Sequence, residues 1–393
     1  MKVSLISNEG GGISAVSKGI GLGLSKRKIY TTIFTGARYC DPHSERLNEY
    51  LEIIYLPNLN FPPRNLLFQV QNIRKILAIE CSIIHGVSPD ASFALTLFNK
   101  HFSKPYITTM HDPIRSGQRI FLNQPFNSWN MSEFAYYVLE YPLNYYALKK
   151  SIESSDHTTF CSYSVLEDLK PCMNIDPNKT SVIYNGVDFD EIDNINPSPR
   201  STNELEDEIS IMYAGRLYWS KGVMFLLHAF NLIKNDLRGV HLKIFGRGPL
   251  ESKIDSFILK SGLKDKVTRY GHVPKSQIIS ELKKTDIVVF PSLSEAQSIF
   301  MLETMACKKP LIAFDLPFAR EVMTNMETGL LTKPGDLTSL SEGIKLLVND
   351  KKLRIRLGEA GYEYAKKNHN WQKQTGYYLE AYEKAFYHFK KSR

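Results

Sequence analysis

The strongest constraint on the fold is an alternation of short apolar runs with helix-length segments, and it occurs twice along the chain. The first half opens with KVSLIS, a run typical of a buried strand, then the glycine turn NEGGG, then ISAVSKGIGLGLSKR, whose apolar residues have helical spacing. Further strand-like runs are KIYTTIFTG, LEIIYLP, CSIIHGV, PYITTMHD and HTTFCSY. This alternation of strand-like and helix-length segments predicts a mostly parallel sheet with helices on both faces.

The second half repeats the pattern with ISIMYAG, VHLKIFG, KVTRYGHV, DIVVFPS, PLIAFD and GLLTKPG. The stretch NINPSPRSTNELEDE separates the two sets and has no apolar periodicity, which is typical of a linker. We therefore predict an α/β chain of two doubly wound domains. The predicted division is 1–190 for the N-terminal domain, 191–208 for the linker, 209–370 for the C-terminal domain, and 371–393 for a C-terminal helix that packs back toward the N-terminal domain.

The composition of the chain indicates which kinds of partner and which cellular setting to expect. The 393 residues are 43% hydrophobic and 23% charged, as in ordinary folded proteins, and the net charge of +8 favours anionic partners. No dense basic run or nucleic-acid-binding signature occurs, so we expect no nucleic-acid partner. The five cysteines have no zinc-type spacing, and neither a signal-peptide core nor a membrane span is evident, which together favour a reducing, cytoplasmic setting.

The segment PSLSEAQSIFMLETMACKKPLIAF carries the most informative motif. Glu295 and Glu303 are separated by seven residues across a turn from a strand into a helix predicted to start near Ser298. Free backbone N–H groups at a helix start form an anion site, which places Glu295 just before that site and Glu303 about one turn inside the helix. The alternative is that Glu295 caps the helix and Glu303 is only solvated.

The segment YAGRLYWSKG is the second motif. A strand ends at Gly215, and Arg216 and Lys221 lie in the loop before the next helix. Arginine offers a forked donor and lysine a point charge, which together suit the two phosphates of a diphosphate. Two solvated surface cations are the alternative.

These segments resemble the family-4 retaining glycosyltransferases, whose GT-B fold consists of two Rossmann-like domains facing an interdomain cleft. The resemblance lies in the spacing of the two glutamates and in the glycine-arginine and lysine-glycine pairs. VIYNGVDFDEI, IFGRGPLESKI, VTRYGHVPKSQIISELKKTDIVVFPS and GLLTKPGDLTSL follow in family order and spacing. The resemblance covers nearly the whole chain and is most specific over 181–335.

The resemblance implies roles by position in the C-terminal domain. Arg216 and Lys221 would bind the diphosphate of a nucleotide sugar, Glu303 its ribose and Glu295 the transferred sugar. Further donor contacts would come from the backbone amides of Ser298 and Ile299 and from the loop at Gly271 to Val273, which would lie against the nucleobase. The family commonly has phenylalanine-glycine where this chain has Gln297 and Ser298, so the sugar specificity does not carry over.

In the N-terminal domain the resemblance points to a glycine turn and a histidine. Gly11 and Gly12 match a glycine pair that faces donor phosphates and acceptor, and a tight structural turn is the alternative reading of these glycines. His111 follows the strand PYITTM and matches a histidine near the reacting sugar, whereas an ordinary surface or core histidine is the alternative. Residues 121–150 are rich in aromatics, which suits helix packing and also an acceptor-binding or peripheral membrane surface.

The expected reaction is transfer of a hexose from a nucleoside-diphosphate sugar to a hydroxyl acceptor, namely a glycan, a lipid-linked sugar or a small molecule, with retention at the anomeric carbon. The resemblance implies no metal and no cofactor besides the nucleotide-sugar co-substrate. Two alternatives remain: a nucleotide-sugar epimerase of the same architecture, and a non-catalytic glycosyltransferase-like subunit.

Overall fold

The computed structural model describes residues 1–7, 11–37, 41–57, 72–76, 78–98, 104–197, 208–236 and 239–391. The strands are β1 Lys2–Ile6, β2 Tyr30–Gly36, β3 His43–Asn48, β4 Leu51–Leu56, β5 Ile83–Gly86, β6 Tyr106–Met110, β7 His157–Phe160, β8 Thr180–Val182, β9 Ile209–Ala214, β10 Val240–Phe245, β11 Val267–Gly271, β12 Ile287–Phe290, β13 Leu311–Phe314 and β14 Leu330–Thr332.

The helices alternate with these strands, as the sequence pattern predicts. The α-helices are α1 Gly11–Ser25, α2 Pro89–Phe98, α3 Ile114–Asn123, α4 Met131–Phe134, α5 Tyr141–Ser154, α6 Tyr163–Leu169, α7 Phe189–Asp193, α8 Val223–Ile233, α9 Glu251–Lys260, α10 Lys275–Lys284, α11 Ile299–Ala306, α12 Pro317–Arg320, α13 Leu337–Asn349, α14 Lys351–Asn368 and α15 Trp371–Lys391.

The first of two compact units comprises residues 1–115, 135–186 and 370–393. Its sheet has the strand order β3-β4-β2-β1-β5-β6-β7-β8. All neighbouring strands are parallel except β3, which pairs antiparallel with β4 at the edge. The strand order reverses between β1 and β5, so the switch point where doubly wound sheets bind ligands lies at the carboxyl ends of these two strands.

Helix α15 is part of this first unit. The Tyr382 hydroxyl on α15 lies 3.0 Å from Nδ1 of the buried His85 in β5. Helix α1 approaches α15 closely because the α1 residues nearest to Trp371 and Thr375 are glycines, Gly19 and Gly23. A Cβ at Gly19 would lie 2.0 Å from the Trp371 ring, and one at Gly23 would lie 1.9 Å from Oγ1 of Thr375. Side chains at these positions would therefore force α1 and α15 apart.

The second unit comprises residues 116–134 and 187–369. Its sheet has the order β11-β10-β9-β12-β13-β14, and every pair is parallel. This is the order of a doubly wound dinucleotide-type sheet, with its switch point between β9 and β12. Buried apolar side chains cover both faces of the sheet, in one cluster that includes Leu226 and another that includes Met305.

The unit boundaries differ in two places from the division predicted from the sequence. Residues 116–134 belong to the second unit, although the sequence division assigned them to the N-terminal domain. The second unit also begins at Val187, and residues 191–193 of the predicted linker are the end of α7, whose Ile192 is buried. Residues 198–207 of that linker lie outside the described residues.

Candidate functional site

The loop that follows β9 carries Arg216 and Lys221, and close backbone packing fixes its course. A Cβ at Gly246 would lie 1.9 Å from the carbonyl oxygen of Gly215. The ends of β9 and β10 therefore lie so close to each other that only glycine fits at position 246. A short 3₁₀ turn spans Trp219–Lys221 and ends at Gly222, whose φ of +73° is left-handed. A Cβ at Gly222 would lie 1.7 Å from the Pro291 carbonyl oxygen. The loop that follows β9 is therefore packed closely against the loop that follows β12.

Tyr213 contacts the backbone at both cationic positions, Arg216 and Lys221, through its hydroxyl. Its buried hydroxyl lies 3.2 Å from the carbonyl oxygen of Arg216 and 3.3 Å from that of Lys221. Burial raises the pKa of this phenol, so it stays a neutral donor. The exposed Arg216 guanidinium carbon lies 5.3 Å from the centre of the Tyr218 ring, a cation–π distance.

Lys221 and Glu295 form an ion pair across the switch point of the second sheet. The Lys221 Nζ donates to Oε1 of Glu295 at 2.7 Å and to the Ser294 carbonyl oxygen at 2.9 Å. Only 15% of the lysine side chain and 18% of the glutamate side chain are exposed. The Ser292 hydroxyl donates to the same Oε1 at 2.9 Å. The alternative that Glu295 caps the helix is therefore wrong, because its carboxylate bonds to Lys221 and Ser292 and the N-cap is Ser298.

Helix α11 begins directly after this pair. Ser298 is its N-cap, and the serine hydroxyl accepts a hydrogen bond from the Met301 N–H at 3.3 Å. Ile299 is the first helical residue, as the predicted helix start near Ser298 requires. The helix follows the carboxyl end of β12, which pairs with β9, so its start, Lys221 and Glu295 share the same edge of the sheet. Backbone N–H groups and the helix dipole there favour an anion.

Glu303 lies inside α11 and is buried, so the alternative that it is merely solvated is wrong. Burial raises the pKa of its carboxyl to about 7, although the nearby Lys275 ammonium acts in the opposite direction. The Nζ of Lys275 lies 3.5 Å from Oε1 of Glu303 and 2.8 Å from Oε2 of Glu191. Sequence reasoning missed Lys275, and its only signal was a lysine directly after Pro274 in a segment quoted for the family resemblance.

Val273 lies beyond the carboxyl end of β11 and is half-buried against the apolar cluster that contains Met305. Gly271, which ends β11, has a φ of +70° and accepts a hydrogen bond at 2.6 Å from the Gly246 N–H. The loops after β9, β10, β11 and β12 therefore all leave the same edge of the second sheet.

The predicted residues of the first unit lie at the carboxyl ends of β1 and β6. Gly11, with φ +66°, and Gly12 begin α1, and a Cβ at either would meet no atom of the described residues within 4 Å. Packing therefore does not require glycine at Gly12. Gly10 lies outside the described residues.

His111 follows β6 and carries a neutral imidazole. Burial lowers the pKa of His111 to about 4. Its Nε2 is closed to solvent and has no hydrogen-bond partner in the part of the chain that the structure describes. The alternative of a surface histidine is therefore wrong for Nε2, whereas the alternative of a core histidine fits this burial.

Glu133 is a charged neighbour of this site that the sequence did not indicate. It lies in the segment 116–134 of the second unit, is 8% exposed, and interacts electrostatically with both Arg216 and Lys221. Its position depends on the packing of that segment, and no motif in the sequence marks it.

A groove of about 440 Å³ lies elsewhere in the first unit, between α6, β8 and α15. Tyr163, Lys170, Tyr377 and Lys384 are among its lining residues. None of the predicted site residues lines it. Among the helices described, none combines the length and apolar character needed to cross a membrane.

Two family models match the chain and together cover most of it. The model described as Glycosyltransferase Family 4 matches residues 10–191, and the model described as Glycosyl transferases group 1 matches residues 194–364.

Known relatives align over part of their length. An uncharacterised glycosyltransferase of Methanocaldococcus jannaschii is 31% identical over 50% of this chain and 51% of its own. The N-acetylgalactosamine-N,N'-diacetylbacillosaminyl-diphospho-undecaprenol 4-alpha-N-acetylgalactosaminyltransferase of Campylobacter jejuni is 30% identical over 48% of this chain and 50% of its own. The chain thus spans about half the length of the curated relatives it matches.

Solved structures match over nearly the whole chain. Sucrose-phosphate synthase of Thermosynechococcus elongatus has a TM-score of 0.80 at 19% identity, covering 98% of this chain and 99% of that one. Anabaena HepE in complex with UDP-glucose has a TM-score of 0.73 at 16% identity, covering 97% of this chain and 100% of that one.

Proposed function

The chain belongs to the family-4 glycosyltransferases of the GT-B fold, and on that premise we propose that it transfers a hexose from a nucleoside-diphosphate sugar to a hydroxyl acceptor with retention at the anomeric carbon. One observation carries the proposal. Arg216, the Lys221–Glu295 pair and the start of α11 all lie at the switch point of the second sheet, where such sheets bind ligands.

In this proposal the donor diphosphate is held by cations and backbone dipoles. The Arg216 guanidinium donates to one phosphate as a fork, and the Lys221 ammonium contributes a point charge to the other. The backbone N–H groups of Ser298 and Ile299 complete the phosphate site. These groups stabilise the negative charge that develops on the leaving diphosphate, the contribution that dominates such reactions.

The remaining donor contacts come from two carboxylates and one loop. Glu295 accepts hydrogen bonds from the hydroxyls of the transferred sugar, and Glu303 accepts them from the ribose. The backbone near Val273 lies against the nucleobase. Each carboxyl group has a lysine neighbour, Lys221 for Glu295 and Lys275 for Glu303.

For the first unit, taken by itself, we propose ligand-binding roles for a glycine turn and a histidine. We propose that Gly11 and Gly12 allow close backbone approach of a ligand at the start of α1, and that the neutral His111 lies near the reacting sugar. The acceptor hydroxyl attacks from the face of the departing phosphate, whose oxygen takes the hydroxyl proton as the anomeric C–O bond breaks. In this scheme the protein's own cations neutralise the leaving group, so we propose that the reaction needs no metal.

A lipid-linked or polysaccharide acceptor is the substrate class we favour. The relative from Campylobacter jejuni is named for an acceptor on diphospho-undecaprenol. The segment 116–134 of this chain exposes large apolar side chains, namely Leu122, Phe126 and Met131, and Phe126 is 83% exposed. We propose that these side chains make peripheral contact with a membrane that carries the acceptor. Co-sedimentation of wild type and a Phe126→Ser, Met131→Ser variant with anionic vesicles tests this, because equal sedimentation of the two contradicts it.

The proposed activity is tested in two steps. A thermal-shift screen with UDP-, GDP- and ADP-sugars identifies the donor, because a ligand that binds only the native state raises the melting temperature. The active donor is then incubated with polyprenyl-linked and oligosaccharide acceptors with and without EDTA, and the anomeric configuration of the product is read by NMR. Transfer with retention that EDTA leaves intact is the expected result. No shift with any nucleotide sugar contradicts the proposal, and conversion of the donor's sugar without an acceptor would identify an epimerase instead.

A further inference from the structure

Glu133 is a buried carboxylate in a segment that is otherwise partly exposed. Only 8% of Glu133 is accessible, whereas its neighbours Met131 and Ser132 are exposed. Buried carboxylates are rare unless they are paired or hydrogen-bonded, because removing their charge from water is costly. The structure therefore has to supply compensating groups for Glu133.

Local hydrogen bonds fix the position of Glu133. The Asn130 side chain accepts from the Glu133 N–H at 2.9 Å and donates to its Oε2 at 2.5 Å. The segment is also held against the rest of the second unit. The Ser132 hydroxyl lies 3.4 Å from the Tyr218 hydroxyl, and the Lys253 Nζ donates to Oγ of Ser128 at 3.3 Å. Glu133 is thus held beside the loop that follows β9.

The charges that face Glu133 are those of the proposed diphosphate site. Burial raises the pKa of Glu133 and is the largest effect, so the pKa is raised overall. Four groups lower it: the hydrogen bond from Asn130, the charge of Arg216, the hydrogen bond with Gln124 and the charge of Lys221. Lys221 already has Glu295 as a partner at 2.7 Å. Two cations therefore face two carboxylates before any ligand binds.

We propose that Glu133 sets the affinity of this site by opposing bound diphosphate, and that it opposes the nucleoside-diphosphate product more strongly than the donor. This inference rests on the proposed function. In the donor, the terminal phosphate is esterified to the sugar. Breaking the anomeric C–O bond leaves both bonding electrons on the phosphate oxygen, which gives the product an additional ionisable oxygen that is largely charged at neutral pH. The carboxylate of Glu133 repels that additional charge and favours product release.

The test compares Glu133→Gln with wild type. Glutamine keeps the size and an oxygen for the Asn130 amide, but removes the charge. UDP, GDP and ADP are titrated calorimetrically into both proteins, and the dissociation constant of the nucleotide that wild type binds is compared with that of its sugar conjugate. Glu133→Gln should bind the free diphosphate roughly three- to tenfold more tightly, and the sugar conjugate with a smaller gain.

Three controls make the outcome decisive. Glu133→Asp keeps the charge and should retain wild-type product affinity, and Glu359→Gln removes an exposed carboxylate on α14 with the same change in net charge. Glu133→Ala replaces the glutamine variant if that variant does not fold. Unchanged or weaker diphosphate binding in the charge-removed variants overturns the inference. Because Arg216→Ala should weaken diphosphate binding by about tenfold or more in the same experiment, retained tight binding in that variant would instead count against the proposed function.

Discussion

The Nζ of Lys221 lies 2.7 Å from Oε1 of Glu295, and the two side chains come from loops that follow neighbouring parallel strands of the second sheet. The pair is mostly buried, and the serine hydroxyl of Ser292 also bonds to the carboxylate. A diphosphate that binds Lys221 therefore meets an ammonium already oriented by a carboxylate, which can in turn accept hydrogen bonds from the sugar of the same ligand.

Replacing Lys221 by methionine should weaken binding of the nucleoside diphosphate by about tenfold or more, because a charge-assisted hydrogen bond contributes about 1.5–3 kcal/mol. Calorimetric titration with UDP and GDP measures the effect. Lys345→Met is the matched control, since Lys345 forms an exposed ion pair with Asp236 at 2.7 Å on the surface of the second unit. Equal affinities of wild type and Lys221→Met for the nucleoside diphosphate would show that Lys221 does not bind it.

Glu303 should make the free energy of unfolding fall as the pH rises. Burial raises its pKa to about 7, above the value of an unfolded glutamate, so the native state binds the proton more tightly. The resulting stabilisation is complete below about pH 4.5 and is lost as the pH rises to about 7, and it amounts to about 3 kcal/mol. Relative to Glu303→Gln, wild type should lose this amount over that range in urea titrations. Parallel pH profiles of the two proteins would show that Glu303 does not titrate in this way.

His111 should have the opposite effect at acid pH. Burial lowers its pKa to about 4, below that of an unfolded histidine, so the unfolded state binds the proton more tightly. The stability that this contributes is present above about pH 6.5 and is lost as the pH falls to about 4, by about 3 kcal/mol. Chemical unfolding of wild type and His111→Gln across this range should show a shallower acid loss in the variant. His272→Gln, which removes an exposed imidazole, is the control, and an equally shallow curve for it would contradict the assignment.

Gly23→Ala should destabilise the first unit, because the new methyl group would lie 1.9 Å from Oγ1 of Thr375 on α15. Overpacking of this kind costs about 1–3 kcal/mol, which thermal unfolding would register as a lower melting temperature. Gly12→Ala lies on the same helix, where a Cβ meets no atom within 4 Å, and should leave the melting temperature nearly unchanged. A similar loss in both variants would show that the contact between α1 and α15 does not explain the effect.

The sequence predicted those elements whose hydrophobic pattern determines their structure. The strand at KVSLIS follows from an apolar run, the helix start was predicted near Ser298, and both are present. Strand β3 was not predicted, because HSERLN is almost wholly exposed and pairs only at a sheet edge. Glu295 pairs with Lys221 and Glu303 with Lys275. These pairs join residues that are distant in the chain, and residue spacing alone does not specify them.

The segment 116–134 also could not be assigned from the sequence. Its aromatic residues indicated helix packing or an acceptor surface, but not the unit against which they pack. That choice depends on long-range contacts, such as the one between Ser132 and Tyr218. The burial of Glu133 follows from the same packing and has no local signature.

We propose that Arg216 and Lys221 bind the diphosphate of a nucleotide, and paired titrations with a nucleoside diphosphate and the corresponding monophosphate test this most directly. Wild type should bind UDP, or whichever of GDP and ADP it prefers, at least about tenfold more tightly than the monophosphate, and Arg216→Ala with Lys221→Met should bind the two ligands about equally. If the double variant keeps the wild-type preference for the diphosphate, these residues do not form the donor site and the account is wrong.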